Sequence, residues 1–229
     1  MTKITVPSQT DHLRVRKAAR AIGRHALAHA YGHCSTRLDP DYFLVCAPKP
    51  MLLVDATDDG TVVPVHGELP DGVLGEVRIH QQIYQRRPEI NGICRTMPPN
   101  AMALAALGQT PKMRHGFGSY FHAGLPLWDD PQLLRSDEQA SQLADQLADA
   151  SAILMRGNGL VVAGETLERA VVLTWYAEDA ARLELEALRT GLADTAPVLS
   201  PEEARARATD KGRIFERMWD YLTHDDPES

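Results

Sequence analysis

"GICRTMPPNA", residues 92–101, is the stretch on which the fold turns. Ile90 to Cys94 reads as a buried strand, and a short polar segment follows it. "NAMALAALG" then reads as a helix ended by Gly108. A strand end that opens into a helix is a common place for chemistry. Arg95, Thr96 and Met97 are an unusual choice of residues for such a junction.

Before this stretch, residues 11–31 read as a helix. Leu13, Ala18, Ile22, Ala26 and Ala30 form its apolar stripe, Arg14, Lys17, Arg20 and Arg24 turn away, and Gly32 is the expected stop. "YFLVCAP" is strand-like and ends at Pro48 and Pro50. "MLLVDATDDGTVVPVHG" predicts two strands joined at Asp59-Gly60. Val77, Ile79, Ile83 and Tyr84 predict a helix over 75–87 that Pro88 stops.

After it, "RHGFGSYFHAGLPLWD" is Gly- and aromatic-rich and reads as a loop. Ser136 and Gln139 make a capping-box pattern for a helix over 136–150. "AILMRGNGLVVAG" reads as strand, turn, strand, and a long amphipathic helix runs from Thr166 to Gly191. Ser200-Pro201-Glu202-Glu203 opens a final helix, and the tail "HDDPES" is expected to be disordered. Helices and hairpin-linked strands alternate irregularly, which predicts a single α/β or α+β domain over 1–229, with 192–229 as a helical extension.

Composition narrows the function. Hydrophobic residues make up 44% and charged residues 24%, enough for a packed core. The net charge of −7 disfavours a general nucleic-acid binder, which needs a basic surface. The apolar runs are too short to span a bilayer and the N-terminus lacks an apolar signal core, so a cytoplasmic protein without a membrane partner is expected. Cys34, Cys46 and Cys94 form no C-x-x-C pattern, which suits a reducing compartment.

Four segments, in order and at normal spacing, resemble the class II aldolase/adducin family over about residues 10 to 190. "YGHCSTRLDPDYFLVCAP" resembles its Gly-Asn-x-Ser turn and following strand, and "GEVRIHQQIYQRRPEINGI" its Glu-bearing helix. "MPPNAMALAALG" resembles the segment after its His-x-His, and "AILMRGNGLVVAGETLERA" the strand and turn that usually hold Asn-His-Gly. The resemblance implies a three-layer fold, with a mostly antiparallel sheet flanked by helices, and a homotetramer with clefts between subunits.

It also assigns a site. The family's three metal-binding histidines correspond to Arg95, Met97 and Asn158, none of them a good ligand for zinc or a similar ion. No metal and no other cofactor is therefore expected. A displaced metal site among His33, His80, His115 and His122 is the less favoured reading. Glu76 stands at the general acid/base position; as a bland alternative it merely complements a helix dipole. Arg95 places a fixed positive charge where the cation would sit, either stabilising an enolate oxygen or simply pairing with Glu76 in a dead pocket. Asn158 is expected to donate a hydrogen bond beside it, and Arg156 either adds to the positive field or points to solvent. Tyr120 is the candidate acid contributed across subunits, with packing as the commoner fate of such aromatics.

The family's phosphate-binding hydroxyls are largely replaced: the segments read Gly32-His33-Cys34-Ser35, Lys49-Pro50 and Leu74-Gly75. His33, Ser35, Lys49, Asn158 and His122 remain as candidate substrate-binding residues. Met218, Trp219 and Tyr221 are placed on a segment that folds over the cleft as a lid. The leading expectation is a metal-independent lyase, of decarboxylase or aldolase type, on a small non-phosphorylated and possibly aromatic carboxylate. The alternatives are a non-catalytic adducin-like scaffold and a redeployed metal-dependent oxygenase or decarboxylase.

Overall fold

The computed structural model describes residues 5–228. The chain runs α1 (Gln9–Arg24), β1 (His33–Arg37), β2 (Tyr42–Val45), β3 (Thr61–Pro64), α2 (Arg78–Arg86), β4 (Gly92–Thr96) and α3 (Pro99–Ala106). It continues with β5 (Leu127–Trp128), α4 (Asp137–Leu147), β6 (Ala152–Met155), β7 (Gly159–Gly164), α5 (Leu167–Arg189), α6 (Pro201–Arg207) and α7 (Ile214–Thr223). Single 3-10 turns stand at Met51–Leu53, Gly75–Val77 and Gly118–Phe121.

The strands form one seven-stranded sheet in the order β3-β2-β1-β4-β7-β6-β5. All pairs are antiparallel except β5 with β6. Successive strand residues point to opposite faces, and both faces are covered. Cys34, Cys94, Leu160 and Val162 face a core built with Val15 and Ile22 of α1, Val171 and Tyr176 of α5, and Phe215 and Leu222 of α7. Ile93, Val161 and Ala163 face a second core built with Ile79 and Ile83 of α2 and Leu143 and Leu147 of α4. A one-residue slip of β7 would exchange these sets, so burial on both sides fixes the register. The three-layer α/β expectation holds.

Several local expectations need correction. Helix α1 ends at Arg24, because the chain turns at His25 and Ala26 takes a positive φ of 56°. Arg20 does not turn away: it is 3% exposed and clasped by Asp226 and Glu228 at 2.7 Å. Those contacts order the tail as far as Glu228, and Ser229 lies outside the described residues. No hairpin forms over 51–67, because Met51–Leu53 coils into a turn beneath α1. A Cβ at Gly23 would lie 2.4 Å from the Leu52 amide nitrogen, so glycine is what lets that turn approach. Helix α7 packs into the core against α1 and α5 rather than over the cleft.

Two of the three expected caps form in full and one forms in part. Ser136 accepts from the Gln139 amide, while the Gln139 side chain reaches the Arg135 amide instead of closing the box. Ser200 and Glu203 close theirs, and Thr166 caps α5.

Candidate active site

Strand alternation decides which side chains meet. On β1, His33 and Ser35 point to the α2 face, and Cys34 points to the other core. On β4, Arg95 shares the α2 face with Ile93 and is register partner to His33. The Gly75–Val77 turn leads directly into α2 and brings Glu76 over this pair. Gly159 begins β7 at φ 98°, and a Cβ there would lie 2.0 Å from the Thr96 carbonyl oxygen. That close approach seats the Asn158 turn beside the end of β4.

The result is a cleft of about 610 Å³ lined by His33, Lys49, Glu76, Arg95, Met97, Arg135 and Asn158, among others. Tyr31, Leu74 and Leu133 add exposed apolar surface to it. This size and mixed lining suit a small organic molecule.

Arg95 is 3% exposed, and its Nη2 lies 3.1 Å from Glu76 Oε2. Its Nε is buried without a hydrogen-bond partner among the described residues. Burial lowers the guanidinium from its usual range and Glu76 opposes that shift. The same Glu76 oxygen is 4.0 Å from His33 Nε2, which is also buried and unpartnered among the described residues.

Behind His33 a buried polar chain runs into the α2 layer. His33 Nδ1 is 2.9 Å from His80 Nε2, and His80 Nδ1 is 2.7 Å from Ser35 Oγ. Ser35 Oγ is 2.9 Å from the Tyr84 hydroxyl, which also donates to the Ser35 carbonyl at 3.2 Å. Burial holds His33 well below the usual imidazole range, helped by His80 and Arg95. Burial and the Arg95 charge push His80 down to about 3. Both rings are neutral at physiological pH. Burial pushes the Tyr84 phenol up.

The structure therefore brings Glu76, Arg95, His33, Lys49 and Asn158 to one cleft. Three of the candidate site residues do not line it. Ser35 is fully buried within the polar chain. Tyr120 donates its hydroxyl to the Thr209 carbonyl at 2.7 Å and packs on Tyr176 and Phe215, so that proton is committed inside the chain. His122 follows the Gly118–Phe121 turn, away from the cleft-lining residues. Asn158 lines the cleft, but its amide group donates to the Pro131 and Gln132 carbonyls at 3.1 and 3.0 Å instead of to the Arg95 neighbourhood. It thereby holds the loop that carries Leu133 and Arg135. Lys49 is engaged by Asp58 at 2.7 Å. Arg156 pairs with Asp129 on the surface.

Sequence reasoning missed Arg135, an exposed cleft cation with no ion-pair partner among the described residues. Nothing in its local pattern distinguishes it from a surface arginine. It also missed His80 as the partner of His33 and Tyr84 as the partner of Ser35; only the facing of β1 and α2 reveals them.

The site does not fit the divalent cation that the resemblance implies. Arg95 offers a cation, Met97 a thioether, and Asn158 an amide whose donors are already used. Among the described residues there is no group of three or more His, Cys, Asp or Glu arranged to hold a metal ion. No helix among the described residues is long and apolar enough to cross a membrane.

Fold and site define a class II aldolase-type α/β protein. The sequence profile described as "Class II Aldolase and Adducin N-terminal domain" matches residues 14–185, and the chain belongs to this family. Among curated relatives, 3,4-dihydroxyphthalate decarboxylase of Arthrobacter keyseri is 28% identical over 193 residues, covering 76% of this chain and 77% of the relative. Decarboxylase tropJ of Talaromyces stipitatus is 23% identical over 190 residues, covering 70% of each. Among solved structures, an aldolase II superfamily protein from Pseudomonas syringae superposes with a TM-score of 0.79 at 19% identity, covering 96% of this chain and 93% of that one. L-fuculose 1-phosphate aldolase from Glaciozyma antarctica gives 0.76 at 19% identity, covering 98% and 94%. At these identities the structural likeness speaks for the fold alone.

Proposed function

We propose that the chain is a carbon–carbon lyase that decarboxylates a small, non-phosphorylated aromatic carboxylate without a divalent metal. One observation carries the reading: a buried Arg95 with an unpartnered Nε–H stands beside Glu76 at an open cleft of about 610 Å³. The decarboxylase relatives support the same reaction class.

Protonation of the ring carbon that bears the carboxylate draws electrons from an ortho hydroxyl, which gives its proton to solvent and becomes a ring carbonyl. As carbon dioxide then leaves, the electron pair of the broken bond passes to that oxygen and restores the aromatic ring. Arg95 stabilises that developing anion through a preorganised charge in a desolvated setting. Glu76 delivers the proton to the carbon that bears the carboxylate, before the bond breaks, and is reloaded from solvent. Arg135 supplies a second positive group suited to an acid with two anionic substituents. The apolar surface of Tyr31, Leu74 and Leu133 suits the ring. A sugar phosphate fits poorly: Leu74 and Gly75 offer no side-chain hydroxyl, and Asp58 occupies Lys49.

The scaffold reading draws on the Arg95–Glu76 ion pair, which neutralises both groups. A filled pocket would have favoured it; the cleft is open. The homotetramer and a cytoplasmic location stay part of the proposal.

The test is a screen of hydroxybenzoic and dihydroxyphthalic acids, following acid loss and carbon dioxide release chromatographically. Wild type is expected to consume at least one acid, and Glu76→Gln and Arg95→Ala to lose about 100-fold or more. Turnover indifferent to both substitutions would remove the mechanism.

A further inference from the structure

The buried chain behind His33 has a direction, and hydrogen-bond counting sets it. In one direction His33 Nδ1–H donates to His80, His80 Nδ1–H to Ser35 Oγ, Ser35 to Tyr84, and Tyr84 to the Ser35 carbonyl. Every proton then has an acceptor, and the unpartnered atom is the lone pair of His33 Nε2. In the reverse direction Tyr84 donates to Ser35 Oγ and gives up the carbonyl, and the chain ends in a His33 Nε2–H whose nearest carboxylate oxygen, on Glu76, lies at 4.0 Å, beyond hydrogen-bond distance and already paired with Arg95. A buried donor without an acceptor is the rarer and costlier outcome. The Arg95 guanidinium, register partner of His33, also favours a lone pair over an N–H at its side.

The lone pair faces Glu76. One carboxyl oxygen, Oε2, lies 3.1 Å from Arg95 Nη2 and 4.0 Å from His33 Nε2. Ionised, that oxygen belongs with Arg95. Protonated, it needs an acceptor, and the acceptor available is His33.

We infer that His33 is a positioning residue that holds Glu76 in its proton-loaded form, and that His80, Ser35 and Tyr84 lock His33 as the Nδ1–H tautomer for that purpose. The inference rests on the proposed role of Glu76 as proton carrier. When a substrate oxygen engages Arg95, the Glu76 carboxyl swings the remaining distance, about 1 Å, and its O–H donates to His33 Nε2; such contacts tighten on ligand binding. The proton is then given to the substrate carbon. The resulting carboxylate returns to Arg95 and takes a new proton from water. His33 Nδ1–H stays engaged with His80, so Nε2 takes part only as an acceptor.

Two measurements test this. The first needs no ligand: long-range ¹H–¹⁵N NMR of histidine-labelled protein assigns the His33 ring, using His33→Asn to identify its signals. A bare, pyridine-type Nε2 and a protonated Nδ1 are expected. Tyr84→Phe, which keeps the ring and loses the hydroxyl, should give mixed tautomers. A protonated Nε2 in wild type overturns the inference, as does an unaltered spectrum in Tyr84→Phe.

The second uses 2-hydroxybenzoate as probe in difference infrared spectroscopy, with binding followed by calorimetry. Binding should raise a protonated-carboxyl band in wild type that is absent from Glu76→Gln and shifted in Tyr84→Phe. Binding with no such band overturns the inference and leaves the carboxylate site standing. No binding by any variant counts against the proposed carboxylate site instead, and the NMR spectrum then decides the tautomer by itself.

Discussion

Arg95 is the residue on which the proposed chemistry depends, and its cost is visible. A guanidinium at 3% exposure is tolerated because Glu76 lies 3.1 Å away, and even so its Nε is left over. Replacing it with lysine keeps the charge and loses the planar fork, so Arg95→Lys should retain the fold and lose most turnover. Asn158 acts through the loop it ties. Asn158→Ala removes both bonds to the Pro131 and Gln132 carbonyls, so KM should rise several-fold with kcat less affected, and urea unfolding should show a loss of about 1–3 kcal/mol. The two neutral rings predict a pH dependence. Their folded values lie below the ordinary one, so below about pH 6.5 the unfolded chain binds more protons. Their contribution to stability is full above that pH and is lost as pH falls, by up to about 1.4 kcal/mol per unit for each ring. Urea midpoints at pH 7 and pH 5 should differ clearly in wild type and less in His80→Gln. Glu76 and Arg95 were legible in the sequence because each sits in a segment with its own local pattern. The contact between His33 and His80 spans 47 positions and depends on a β1 face meeting an α2 face, which no local pattern encodes.

At the scale of elements, the errors have physical causes. Ala26 and Ala30 extend the apolar period of α1 beyond its end at Arg24, so periodicity alone runs on past the turn. Strand β1 is hidden in the sequence, where it reads only as part of a turn, because "HCSTR" lacks the apolar alternation of a half-buried strand. Its polar residues are nevertheless buried, and they are polar because one face builds the chain behind the cleft. "AILMRGNGLVVAG" is legible as β6, turn and β7, since its apolar runs are bounded by glycines. Gly159 is the position in this hairpin that tolerates least. Gly159→Ala forces a side chain into a φ of 98° and onto the Thr96 carbonyl. It should destabilise the protein by more than about 1 kcal/mol in urea and reduce activity by shifting the Asn158 turn.

Across the whole molecule, the C-terminal segment belongs to the core instead of the cleft. Phe215 and Leu222 of α7 are buried with α1 and α5, and the tail's carboxylates close on Arg16 and Arg20. The tail looked disordered because its composition is polar and acidic; its partners are arginines on the first helix. Asp226→Ala leaves Arg20 with Glu228 and the Val54 carbonyl as partners, so thermal stability should fall while KM for any accepted acid changes little. The seven-stranded sheet unites these parts, placing β1 beside β4 so that one cleft holds the cation and the carboxyl group together. In the proposed reaction this pair does the work that a metal ion would otherwise do. The most direct measurement is carbon dioxide release from 3,4-dihydroxyphthalate and hydroxybenzoates by chelator-treated protein. Undiminished turnover after chelation, lost by about 100-fold or more in Arg95→Ala, is the predicted result. Turnover that vanishes on chelation and returns only with a divalent metal would contradict it.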